Sequence, residues 1–320
     1  MANSLTGLAG KRVYVAGHRG MVGSAIVRRL EREDCTILTA GRDELDLRAP
    51  ERVDEWMRRT APDLVFIAAA KVGGIGANQA YPADFLYDNL MIAANLIRAA
   101  HEQKVEKLLF LGSSCIYPKF ADQPIREDQL LAGPLEPSNE AYAIAKIAGI
   151  KLAQSYRRQH GDDFICAMPT NLYGPGDNYD LASSHVLPAL IRKAHEAKAG
   201  GAQSLTIWGT GTPRREFLHA DDCADGCVFL MKHYSGEEHV NLGAGEDIAI
   251  LDLARLVCDI VGVDAPIERD LEKPDGTPRK LLDVGKLSAL GWTAAIPLRD
   301  GIAATYRELL ERGALDRPAD

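Results

Sequence analysis

From residue 11 onward the chain alternates short apolar runs with longer amphipathic stretches, and that alternation leaves it very few folds to adopt. The runs at 12–16, 35–40, 64–68, 107–111 and 164–168 read as strands, and most are apolar almost without interruption, as strands buried on both faces are. Helical periodicity fills the gaps at 21–33, 50–60, 82–103 and 139–160. This rhythm predicts an α/β fold: a doubly wound parallel sheet of the Rossmann type, with ligands held at the carboxyl ends of the strands. After about residue 170 the rhythm loosens into shorter runs, with polar loops at 171–180 and 273–280 and a helical stretch at 186–198. A cofactor-binding domain is therefore expected over residues 1–169. Residues 170–320 should form mainly a smaller α/β substrate lobe, with segments interleaved with the first domain.

Composition removes several classes of function. The 320 residues carry 37 Lys and Arg against 45 Asp and Glu, a net charge of −8, which argues against a nucleic-acid partner. A phosphate-bearing ligand must then be held by local cations and helix N-termini. Met1-Ala2-Asn3-Ser4-Leu5 has neither a basic region nor an apolar stretch of signal length, and the longest apolar run, 64–70, is too short to span lipid. A cytoplasmic protein with no membrane contact is expected. Cysteines 35, 115, 166, 223, 227 and 258 include no CxxC pair, so reduced thiols and no metal are expected, with Cys223 and Cys227 as small core residues on one helix face.

Gly17-His18-Arg19-Gly20-Met21-Val22-Gly23 joins the first strand to the first helix. Gly17 permits a tight turn, Gly20 lets backbone approach a pyrophosphate, and Gly23 lets helix and sheet pack closely. The second strand ends in Gly41-Arg42, where an NAD site usually places an acid for the ribose hydroxyl. Arg19 and Arg42 could instead converge on a 2′-phosphate, which favours NADP(H); Arg42 could also pair with Asp43 or Glu44.

Gly112-Ser113-Ser114-Cys115 follows the fourth strand, and Tyr142-Ala143-Ile144-Ala145-Lys146 puts a phenol and an ammonium at i and i+4 on one helix face. An ammonium near a phenol lowers the phenol pKa from about 10 toward the working range of an acid or base. Glycine loop, Ser113, Tyr142 and Lys146 thus make a hydride-transfer set: Tyr142 gives the proton, Ser113 polarises a carbonyl, and Lys146 tunes Tyr142 and reaches cofactor ribose. If the strand continues, period 2 puts Cys115 on the same face as Ser113. From the residues alone Cys115 also suits a small buried position.

These motifs resemble the extended short-chain dehydrogenase/reductase family. The resemblance extends over nearly the whole chain through Lys71-Val72-Gly73-Gly74-Ile75, Ser113-Ser114-Cys115-Ile116-Tyr117-Pro118-Lys119, Tyr142 to Gly149, Pro169-Thr170-Asn171-Leu172-Tyr173-Gly174-Pro175 and Arg215-Glu216-Phe217-Leu218-His219. It is most specific for a branch that epimerises C3 and C5 of GDP-4-keto-6-deoxy-D-mannose and reduces C4 with NADPH, giving GDP-L-fucose. The resemblance implies Cys115 and His185 as the proton-transfer pair, and Pro169, Asn171, Leu172 and His185 as further cofactor contacts. It also implies Lys193, Trp208, Arg215 and Asp275 as the GDP-sugar grip. A homodimer built on the long helices at 82–103 and 139–160 is implied as well.

Asp275 sits in a turn-rich segment and could serve only the local backbone. Gly176 stands where relatives often carry a bulkier residue, which implies a different loop shape near the sugar. The superfamily's dehydratases place an Asp-Glu pair after the strand-end hydroxyl. This chain has Ser114-Cys115 there, which points to epimerisation without elimination. Two other readings remain at this level, a nucleotide-sugar 4-epimerase that recycles bound NAD and a non-catalytic cofactor-sensing protein of the same fold.

Overall fold

The computed structural model describes residues 6–181, 183–201, 204–273 and 275–315. The leader reading at residues 1–5, and Pro274 of the turn-rich segment, lie outside them. In chain order the first half runs β1 (Arg12–Ala16), α1 (Met21–Leu30), β2 (Thr36–Leu38), α2 (Pro50–Thr60), β3 (Leu64–Ile67), α3 (Ile75–Ala80), α4 (Pro82–Glu102), β4 (Lys107–Leu111), α5 (Glu140–His160) and β5 (Phe164–Pro169). The second half runs β6 (Asn171–Tyr173), α6 (Val186–Gly200), β7 (Leu205–Trp208), β8 (Arg214–His219), α7 (Ala220–His233), β9 (Val240–Leu242), β10 (Asp247–Ala249), α8 (Ile250–Val261), β11 (Ile267–Asp270), β12 (Arg279–Lys280), α9 (Gly285–Leu290) and α10 (Leu298–Glu311).

Six parallel strands form the main sheet in the order β2-β1-β3-β4-β5-β9, so a segment from the second half returns to pair with β5. Alternation along each strand feeds two cores. Tyr14, Val65, Leu108 and Phe110 face the layer of α2, α4 and α5, while Val13, Phe66, Leu109 and Leu111 face α1 and α7. Gly149 lets α5 lie close to the sheet, since a Cβ there would stand 2.6 Å from the Phe110 ring. A third core, with Tyr173, Leu190, Phe217, Leu253 and Ile302, lies under the second half.

The polar loops expected at 171–180 and 273–280 each contain a short strand, β6 and β12, and both pair parallel to β8. Their partner lies far away in sequence, so the local pattern does not reveal them. β2 shrinks to three residues because it is an edge strand paired only with β1. Cys223 and Cys227 are buried in α7, as the helical spacing predicts.

Candidate active site

Strand order reverses between β1 and β3, and the glycine loop leaves β1 at that switch point. Gly17 has φ +87°, and a Cβ there would come within 2.7 Å of the Ala69 backbone beyond β3. A Cβ on Gly23 would overlap the Gly17 carbonyl oxygen. Gly20 caps α1 with no side-chain hydrogen bond, and no acidic residue occupies the first turn. His18 and Arg19 line the loop, with Met21 and Val22 half-buried at the helix start. The α1 backbone N–H groups and positive dipole end are thus suited to a pyrophosphate.

The Arg19 guanidinium lies over Gly41, where a Cβ would be 2.7 Å from Nη2. Arg42 follows directly, and among the described residues it makes no ion pair; Glu44 pairs instead with Arg59 at 3.3 Å. The alternative pairing of Arg42 with Asp43 or Glu44 is not found among the described residues, though Arg42 acts on the nearby Asp46. Two cations at the end of β2 fit a 2′-phosphate.

β4 ends at Leu111, and the Met168 sulfur packs into the space that a Cβ on Gly112 would take. Ser113 is extended and starts a short 3-10 turn at Ser114–Ile116, so the strand does not continue to Cys115 as expected. The turn achieves the same proximity by another route. Cys115 N–H points to Ser113 Oγ at 3.4 Å, and Cys115 Sγ lies 2.8 Å from the same oxygen.

Tyr142 lies in the first turn of α5, close enough to Ser113 for that hydroxyl to act on its titration. One turn on, Lys146 is buried and its Nζ donates to the Leu111 carbonyl at 2.8 Å, with the ammonium 5.8 Å from the Tyr142 ring centroid. Burial pushes the Lys146 pKa down to about 8. The expectation that Lys146 lowers the Tyr142 pKa is corrected here. Burial raises it, the Cys115 charge adds to the rise, and Ser113 only partly offsets them. A phenol that stays protonated is suited to proton donation.

His185 caps the N-terminus of α6 in extended conformation. The loop before it is braced by the Lys71–Ile75 motif: Gly74 N–H donates to the Ser183 carbonyl at 3.1 Å, and a Cβ on Gly74 would stand 3.1 Å from that oxygen. Surrounding protein lowers the His185 pKa. Ser113, Cys115, Tyr142 and Lys146 therefore converge at one strand end, and His185 is delivered on a separate braced loop.

Pro169 ends β5, and Asn171 donates from Nδ2 to the Glu216 carbonyl at 2.7 Å, while Leu172 pairs with Leu218. In the second half, β7 pairs with β11 through Trp208 and Asp270, and β8 pairs with β12 through Arg215 and Lys280. The Trp208 ring is 61% exposed and carries Lys273 5.6 Å from its centroid, which leaves a flat apolar surface with a cation beside it. Lys193 donates to the Thr206 carbonyl at 2.9 Å. Burial lowers the pKa of Arg215, and Asp275 works the other way.

Asp275 is occupied by the neighbouring turn. Its Oδ1 accepts from Thr210 N–H at 2.9 Å and its Oδ2 from Thr210 Oγ1 at 2.8 Å, so it fixes the loop after Trp208. Sequence reasoning missed Thr210, Lys273 and Lys280, the last of which lines a cavity with Cys115. An apolar pair, Leu281-Leu282, after Arg279-Lys280 was the available sign of a buried strand there.

Fold and site together define a dinucleotide-dependent oxidoreductase of the extended short-chain type. The chain belongs to the NAD dependent epimerase/dehydratase family, which matches residues 13–243. It is 58% identical to a GDP-L-fucose synthase of Sinorhizobium fredii, over 96% of this chain and 98% of the relative. It is 53% identical to the GDP-L-fucose synthase of Escherichia coli, over 94% of this chain and 97% of that one. Among solved structures, a GDP-L-fucose synthetase from Naegleria fowleri bound to NADP superposes with a TM-score of 0.88 at 27% identity, covering 98% of both chains.

Proposed function

We propose that the chain is an NADPH-dependent epimerase/reductase that converts GDP-4-keto-6-deoxy-D-mannose to GDP-L-fucose, by inversion at C3 and C5 and reduction at C4. The observation that carries this reading is the 2.8 Å contact of Cys115 Sγ with Ser113 Oγ. It puts a group able to remove a carbon-bound proton beside the hydroxyl that grips the ketone. The names and NADP-bound state of the relatives support the substrate and cofactor assignments.

The glycine loop would hold the pyrophosphate of the cofactor, Arg19 and Arg42 its 2′-phosphate, and His18, Met21, Val22, Pro169, Asn171, Leu172 and His185 the rest. Bound NADPH supplies the hydride for C4. The C4 ketone acidifies the C–H bonds at C3 and C5, because the electron pair left by either proton moves onto the C4 oxygen. Ser113 and Tyr142 hydrogen-bond that oxygen in both halves of the reaction, so one set of donors stabilises enolate and alkoxide alike. Cys115 as thiolate takes the proton from one face, and His185 returns a proton to the other. Tyr142 finally passes its phenolic proton to the C4 oxygen as that carbon is reduced, with Lys146 holding Tyr142 and the ribose in place. Arg215 suits the substrate diphosphate through its two-pronged guanidinium, Trp208 the base, and Lys193 and Asp275 the position of the β7 loop.

Residues 1–169 serve the cofactor in this account and residues 170–320 mainly the substrate. Two copies pair through α4 and α5, a reading supported by exposed Tyr87 and Leu90 on α4 and Ile144 on α5. We place the enzyme in the cytoplasm, supported by six unpaired cysteines. No described helix is long and apolar enough to cross a membrane. Two variants test the division of labour. Tyr142→Phe should cut NADPH oxidation by about 10²–10⁴-fold with cofactor binding kept. Cys115→Ser should slow deuterium uptake at C3 and C5 from heavy water, and unchanged uptake would remove Cys115 from its role.

A further inference from the structure

The cavity beside Ser114–Ile116 holds three basic groups that the mechanism above leaves unused, and one of them has no ion-pair partner among the described residues. Cys115, Lys119, Glu136, Arg279 and Lys280 line it. Most of its charges are matched. Lys119 Nζ pairs with Glu136 at 2.9 Å, and Arg279 turns its Nε to Asp247 at 2.5 Å. The Lys280 ammonium, by contrast, makes no ion pair or hydrogen bond among the described residues, and the lining it shares with Cys115 belongs to the catalytic strand end.

Its placement is fixed by backbone. Lys280 pairs with Arg215 in the β8–β12 register, and Leu282 N–H two residues on donates at 2.9 Å to Oε2 of the buried Glu216. Glu216 Oε1 accepts from Gly245 N–H at 2.8 Å, so one carboxylate ties β12 to the turn after β9 and keeps the strand from sliding.

We propose that Lys280 is a positioning residue for the carbon-acid half of the reaction: its ammonium faces Cys115 across this cavity and draws the thiol toward the thiolate that removes the C3 and C5 protons. The thiol proton passes to water, sulfur keeps the electron pair, and that pair takes the proton from substrate carbon. Burial disfavours the charge of Lys280, the Cys115 sulfur favours it, Arg215 opposes it and Glu136 helps. Because the interaction of two charges is mutual, what Cys115 does for the ammonium the ammonium does for the thiolate. Of the other groups facing Cys115, Ser113 and Tyr142 are neutral; the Lys146 ammonium, held at the Leu111 carbonyl, also interacts with the Cys115 sulfur, and Lys280 adds to its field from the cavity side.

The proposal rests on the function given above, yet its test needs no substrate. The rate of Cys115 alkylation by iodoacetamide, read on the Cys115 peptide by mass spectrometry, is followed against pH in wild type, Lys280→Gln, Lys280→Met and Lys280→Arg, each checked for a native melting transition. The Gln and Met variants should shift the alkylation midpoint upward by about half a pH unit or more, slowing the reaction at pH 7 about threefold or more, and Arg should restore it. An unmoved midpoint in whichever neutral variant folds, or an equal shift in the Arg variant, overturns the proposal. A shifted midpoint in a protein that never oxidises NADPH with the keto-sugar would sink the functional reading alone.

Discussion

Lys146 is asked to carry a positive charge in a place that opposes it, and that opposition has a measurable size. It is about 4% exposed, and burial brings its pKa from 10.5 to about 8. At about 1.36 kcal/mol per pH unit the charged side chain costs the folded protein about 3 kcal/mol near neutrality. Lys146→Met removes that cost but strips the Leu111 carbonyl of its donor, a loss of about 1–3 kcal/mol for a buried acceptor. The two nearly cancel at pH 7, so the pH dependence is the cleaner signal.

A cation whose folded pKa lies below its unfolded one binds its proton more tightly in the unfolded chain. Its penalty is therefore complete below about pH 8 and fades as pH rises toward 10.5. Between pH 7 and pH 9 the wild type should gain about 1.4 kcal/mol relative to Lys146→Met. Paired urea-unfolding curves without cofactor measure this directly, because other groups titrate alike in both proteins. A stability difference that stays flat over that range, or moves the other way, would refute the claim that Lys146 is held charged against burial.

The cofactor and substrate ends give further tests. Gly23→Ala, with a Cβ overlapping the Gly17 carbonyl, should weaken NADPH binding by about 100-fold or more in a fluorescence titration. Arg19→Ala and Arg42→Ala should each raise the KM for NADPH about tenfold and leave that for NADH nearly unchanged; equal losses would contradict a 2′-phosphate site. Asp275→Ala frees the Thr210 turn and should raise the KM for the GDP-sugar several-fold with kcat within about twofold, read from steady-state kinetics.

Much of the cofactor half is legible in the chain because strands buried on both faces write themselves as apolar runs, and β1, β3, β4 and β5 all do. The glycine loop is equally clear, since a Cβ on Gly17 or Gly23 would run into backbone. The approach of Ser113 to Cys115 was expected from a continuing strand and comes instead from a serine-capped 3-10 turn, a local hydrogen bond that strand periodicity does not encode. β6 and β12 exist because β8 lies beside them, and the Asp275–Thr210 and Lys280–Cys115 neighbours are 65 and 165 residues apart in the chain. Such pairings are set by tertiary packing alone.

The central claim is that one grip on a C4 ketone serves both proton exchange and reduction. Turnover of GDP-4-keto-6-deoxy-D-mannose with NADPH in deuterium oxide, followed by NMR of the product, tests it most directly. The account predicts stoichiometric NADPH oxidation and GDP-L-fucose carrying deuterium at both C3 and C5. A 4-reduced sugar of unchanged D configuration without deuterium at those carbons, or a 4-epimer formed with no NADPH consumed, would contradict it.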